Sequence, residues 1–181
     1  MTYDNAVNPY RYLRSVPSFA VASATVKDGE ALPTIQLSGL FGVPGGTDTS
    51  PQLSWSGFPS ETESFVVSMY DPQAPTGSGF WHWVVADIPA TSTELAEGAG
   101  TPDSALLPAG AFHLGGDSGM GRYIGGAPPA GSGVHDYFIT VSALDAAVTG
   151  LDASASAAFL GFNIAERTIA RATLVCPTVA G

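Results

Sequence analysis

The sequence predicts a mostly β, loop-rich fold with one helix near its C-terminus. Three observations carry that reading. With 22 Gly and 14 Pro in 181 residues, about one residue in five is a turn former, too many for a helix bundle. Three runs, 64–70 (SFVVSMY), 80–88 (FWHWVVADI) and 135–144 (HDYFITVSAL), have the length and the β-branched, aromatic content of strands. One stretch alone, 157–172, sets apolar residues at helical spacing: Phe159, Phe162 and Ile169 beside Leu160 and Ile164.

Taken in order, residues 1–15 read as a polar arm ahead of a single domain spanning 16–181. Residues 18–26 alternate loosely and predict a first strand, closed by Lys27-Asp28-Gly29-Glu30, which has turn chemistry. Residues 34–40 predict a second strand and 42–51 a loop around Pro-Gly-Gly. Residues 53–56 are short and extended. The run 64–70 is apolar on both faces, as a central buried strand requires. Residues 71–79 hold Pro72, Pro75, Gly77 and Gly79, which no helix or central strand accepts. The run 80–88 is the most strand-like in the chain. The 46 residues of 89–134 carry Pro102, Pro108, Pro128, Pro129 and eleven Gly. A loop that long in a compact domain must contain a short strand or turn of its own and have a use. After the strand at 135–144, Ser154 or Ser156 is placed to cap the helix at 157–172, and 173–176 predicts a last strand.

Charge excludes several functions. Six basic residues face 16 acidic ones, for a net charge of −10, and Lys27 is the only lysine. Such a surface repels nucleic-acid backbones and anionic membranes at long range. No apolar run reaches the ~18 residues of a spanning helix, and the first residues do not read as a signal peptide. The one cysteine, Cys176, needs no oxidising compartment and reads as an inert buried thiol. These points predict a cytoplasmic protein with neither nucleic-acid partner nor stable membrane insertion.

Two histidines open strands and follow proline-rich loops: His82 after DPQAP (71–75), and His135 after PPAGSG (128–133). Strict alternation puts Phe80, His82, Val84 and Ala86 on one face of the first strand, and Trp81, Trp83 and Val85 on the other. On the second it puts His135, Tyr137, Ile139 and Val141 opposite Asp136, Phe138 and Thr140. If the strands are neighbours, Asp71, His82, His135 and Tyr137 meet between proline walls, a small pocket suited to an oxyanion, with Asp71 orienting one imidazole. The plainer readings are a satisfied core histidine, tryptophans that only pack, and an Asp-Pro that only turns. No metal-ligand spacing, phosphate loop or dinucleotide fingerprint is present. Gly131-Ser132-Gly133 falls short of the G-x-S-x-G frame. Neither a catalytic residue nor a cofactor nor a metal is assigned.

The DPQAP loop, Phe80-Trp81-His82-Trp83 and the run from Pro128 to Tyr137 resemble the two signature regions of the phosphatidylethanolamine-binding protein family. The likeness is to its bacterial Raf-kinase-inhibitor-like branch, and Ser50–Gly57 and Gly161-Phe162-Asn163 agree with it. The resemblance implies a β-sandwich of two antiparallel sheets with short helices. It implies an anion pocket at Asp71, Pro75, His82, Pro129, Gly131, His135 and Tyr137, with Pro75 at a loop position where the family can carry a cis peptide, and a homodimer among bacterial relatives. Two positions depart from the family: Gln73 stands where Asp is usual, and Asp136 where Arg is usual. Together they look like the removal of one ion pair on the face away from the pocket. The expected function is a non-catalytic, regulatory binding protein for a small phosphate-like or carboxylate group. The alternatives are a kinase or protease inhibitor working through the 89–134 loops, and a small-molecule hydrolase using the Asp/His cluster.

Overall fold

The structure, a computed structural model, describes residues 8–102 and 104–180. Among these residues eight strands form two antiparallel sheets. The smaller sheet has order β1-β2-β5, from β1 (Ala20–Ala22), β2 (Leu53–Ser56) and β5 (Glu94–Leu95). The larger has order β6-β4-β3-β7-β8, from β3 (Ser64–Asp71), β4 (Phe80–Pro89), β6 (Phe112–His113), β7 (His135–Leu144) and β8 (Thr168–Thr178). The run that is apolar on both faces, β3, lies at the centre of the larger sheet, where both sides must be dry.

The main core lies between the sheets. Leu53, Trp55 and Leu95 of the small sheet meet Phe65, Val67, Met69, Trp83, Val85, Tyr137 and Ile139 of the large one. Each fully buried side chain of this size contributes roughly 1.5–3 kcal/mol. The other face of the large sheet is covered by helix α1 (Ala157–Ile164), whose Ala157 and Leu160 pack on Val66, Val84 and Ala86. Ser156 is the cap, its Oγ accepting from the Phe159 amide at 3.1 Å. Residues 8–14 lie on this same outer face. Tyr10 sets its hydroxyl 2.8 Å from Thr140 Oγ1 and its ring edge-on to Phe138.

Three elements differ from the sequence reading. The first strand shrinks to Ala20–Ala22 because the Ser23 hydroxyl accepts from the amides of Thr25 and Val26, folding the chain into a local turn. The strand expected at 34–40 is instead a 3-10 turn, Thr34–Gln36, entered through Pro33 at φ −59°. It crosses 124–126, exchanging bonds with Gly126, and no second strand lies alongside to extend it. The helix expected to 172 stops at Ile164, and Thr168–Thr178 pairs with β7 along its whole length. That pairing outweighs a helical spacing that propensity alone supports weakly. The 89–134 segment holds the short strands β5 and β6.

The alternation expected on β4 also fails at one point. Met69 pairs with Trp83 but Tyr70 with Trp81, leaving His82 as an extra residue in a β-bulge. His82 and Trp83 therefore both face the inter-sheet side, while Trp81 joins Val84 and Ala86 on the outer one. The alternation on β7 holds. Cys176 is fully buried near the end of β8, and burial pushes its thiol up to about 12. All peptide bonds described are trans, the one preceding Pro75 included. Among the described residues no helix is long and apolar enough to cross a membrane.

Candidate functional site

The open ends of β3, β4 and β7 and the two proline-rich loops enclose a cavity of about 130 Å³. Asp71, Pro75, His82, Pro129, His135 and Tyr137 all line it, and Phe41 and Phe80 supply apolar wall. Gly131 does not. It sits at φ 77° in the turn from Pro129 to Ser132, a left-handed position that favours glycine, and it acts on the site through that turn.

Asp71 ends β3 almost wholly buried. One carboxylate oxygen accepts the amides of Gln73 (2.9 Å) and Ala74 (3.1 Å), which curls the loop back over the strand end. The other accepts from His135 Nδ1 at 2.6 Å, fixing that ring's orientation. On its far side His135 Nε2 lies 2.8 Å from the Ser132 hydroxyl, which also reaches the Pro129 carbonyl at 2.7 Å. Ser132, absent from the sequence reading as a site residue, thus completes a Ser–His–Asp chain at the cavity rim. Its signal was there, three residues before His135 and just after the turn glycine.

His82 is held differently. Its Nδ1–H donates to the Ile124 carbonyl at 3.0 Å, and the Gly125 backbone carbonyl also acts on the ring. Burial pulls this imidazole below its ordinary value, against the opposing pull of Asp71 and nearby carbonyls. The ring is neutral near pH 7, with Nδ1 protonated and Nε2 without a proton. Tyr137 packs edge-on against it at 5.2 Å and accepts the Ala127 amide at 3.1 Å. Burial raises the Tyr137 phenol, so its proton stays in place as a donor. The third histidine, His113 on β6, lines no part of this cavity.

The two unusual positions meet outside the cavity. The Gln73 amide donates to Asp136 Oδ2 at 3.1 Å and accepts the Asp136 backbone N–H at 3.2 Å. A neutral clasp thus joins the DPQAP loop to the start of β7, where the family pattern would place an ion pair. Gln73→Asp sets two carboxylates together and should destabilise the fold by about 1 kcal/mol, and adding Asp136→Arg should recover it. Urea unfolding of both singles and the double measures the coupling, and a coupling near zero would show that the clasp is only a surface contact.

An apolar-walled cavity with a few convergent polar groups, opening at one end of a β-sandwich, has the usual form of a small-ligand site. Comparison with known proteins makes the class specific. The family model described as phosphatidylethanolamine-binding protein matches residues 22–178, and the chain belongs to that family. It is 43% identical over 157 residues to the UPF0098 protein YbcL of Escherichia coli, covering 87% of this chain and 85% of YbcL. It is 41% identical over 152 residues to YbhB of the same organism, covering 84% and 94%. The crystal structure of E. coli YbcL superposes with a TM-score of 0.85 at 42% identity, covering 89% of this chain and 98% of that one.

Proposed function

We propose that the protein is a non-catalytic binding protein that holds a small oxyanion, a phosphate-like or carboxylate group, in the cavity between Asp71 and Tyr137. One observation carries this reading: a buried aspartate aligns His135 beside a phenol that keeps its proton, in a space of about 130 Å³ walled by proline and phenylalanine. Such a site offers the fixed Tyr137 hydroxyl as a donor, with little entropy left to lose. Titrating with inorganic phosphate, phosphoethanolamine and acetate, while following the His82 and His135 ring resonances, tests it. Saturable shifts in both rings are expected with at least one probe. Unmoved rings across all three refute the reading.

Ser132 supports a second reading, an acyl hydrolase in which His135 takes the serine proton as Oγ attacks an ester carbonyl, then passes it to the departing alcohol. A fluorophosphonate probe separates the two. Labelling at Ser132 that is lost in Ser132→Ala favours the hydrolase, and an unlabelled protein with shifted histidine rings favours the binding protein.

A further inference from the structure

A second cavity, about 260 Å³, lies on the opposite face of the large sheet, under helix α1. Val66, Trp81 and Val84 form its floor, Leu160 and Gly161 its roof, and Leu13 of the N-terminal segment one side. It continues into a more open groove of about 440 Å³, with Tyr10, Leu13 and Arg171 lining both. The groove gathers Arg11, Arg14 and Arg171. Among the described residues neither lining includes an Asp or a Glu.

That segregation is the notable observation. The chain has 16 acidic and six basic residues, yet half of its basic residues converge on one groove that no Asp or Glu among the described residues lines. The guanidinium groups are also placed. Arg14 donates to the carbonyls of Glu166 (3.4 Å) and Thr168 (2.7 Å), Arg171 lies 4.9 Å from the Tyr10 ring centre, and Arg11 lies 4.5 Å from that of Tyr12. Tyr10 itself is held through its hydroxyl at Thr140. Planar guanidinium forks pair with carboxylate and phosphate oxygens. An apolar slot that opens beside them accepts a chain rather than a bare ion.

We propose that this composite site binds an amphipathic oxyanion: an unbranched apolar tail in the cavity under α1, and a carboxylate or phosphate-monoester head on Arg11, Arg14 and Arg171. It is independent of the His82 cavity, since the large sheet stands between them. Val66, Ser68 and Tyr70 face one, and Asp71, His135 and Tyr137 the other.

Calorimetric titration of the full chain tests the proposal. The probes are dodecanoate, dodecyl phosphate, dodecanol and dodecyltrimethylammonium, each below its micellar range. At least one anionic probe should bind with one-to-one stoichiometry, and the better of the two names the head group. Dodecanol should bind about tenfold more weakly or worse, as the loss of a charge-assisted contact predicts, and the cationic probe should not bind. Arg171→Gln should weaken the anionic probe about tenfold. Gly161→Leu should weaken it as much by filling the slot. A Cβ at Gly161 meets no atom within 4 Å and leucine is the better helix former, so this variant folds. Excess inorganic phosphate should leave tail-dependent binding in place. Equal affinity for all four probes, binding of none, or full affinity in either variant overturns the proposal.

Discussion

Replacing Gly125 with alanine should lower stability by about 3 kcal/mol or more and disturb the His82 cavity with it. The added Cβ would stand 2.5 Å from Ser38 N and 2.6 Å from Gln36 O, with the Leu37 carbonyl carbon closer still. These are backbone atoms, and they are locked. Gly126 gives its N–H to Gln36 O and accepts from Ser38 N, Gly125 N–H donates to Asp48 at 2.8 Å, and the Tyr123 hydroxyl donates to Gln36 O at 2.9 Å. The crossing cannot spread without breaking that set. Next to Gly125 is Ile124, whose carbonyl holds His82 Nδ1–H and whose amide donates to His82 O. A clash here therefore reaches the site through one residue. Urea unfolding reads the stability, and the His82 ring resonance reads the displacement. A loss below about 1 kcal/mol would mean that the crossing opens easily.

The second large effect is on binding. His82 carries its proton on Nδ1, so its Nε2 has none, but an oxyanion needs a donor there. A phosphate monoester that is a dianion above its second pKa of about 6 must bring a proton to that nitrogen. The bound state then holds one proton more than the separated partners. Affinity should therefore rise as pH falls, by up to about tenfold per pH unit between roughly pH 8 and 6.5. The slope should level below the ligand's own second pKa of about 6, where the free monoester already carries that proton. Phosphoethanolamine titrations in two buffers of different protonation enthalpy count the proton directly. His82→Gln, with an amide donor at every pH, should flatten the profile. A pH-independent affinity in the unaltered protein would mean that the anion does not engage Nε2.

Much of the fold was readable from local chemistry. Strands 64–70, 80–88 and 135–144 carry enough β-branched and aromatic surface that no other element could bury them, and alternation on β7 correctly set His135 and Tyr137 on one face. Alternation failed on β4 because a bulge has no residue signature of its own: the extra residue at His82 comes from pairing with β3, and it is what turns the imidazole inward beside Trp83. The helix was overextended for a related reason. Residues 165–172 are tolerable in either form, and only the full-length partner strand β7 decides between them. The convergence of Asp71, His82, His135 and Tyr137 could be anticipated once the two strands were taken as near neighbours. Ser132 was set aside because its glycine frame did not match a known turn, whereas a different turn, through Gly131, delivers the hydroxyl to the same ring. The arginine groove depends on residues far apart in the chain, 11, 14 and 171, which no local window relates.

The sealed thiol of Cys176 turns the molecule into its own stopwatch. A sulfur with no solvent access and a thiolate pushed far from neutral pH cannot be labelled while β8 is seated against β7. Aromatic disulfide reagents should therefore react only after that edge lets go, and at saturating reagent the rate of colour development equals the rate of opening. Because β8 carries Arg171 on one side of the sheet and Cys176 on the other, a ligand that clamps the arginine groove should slow the colour without touching the sulfur. One dye would then report, from the dry side of the sheet, on what binds at the wet one.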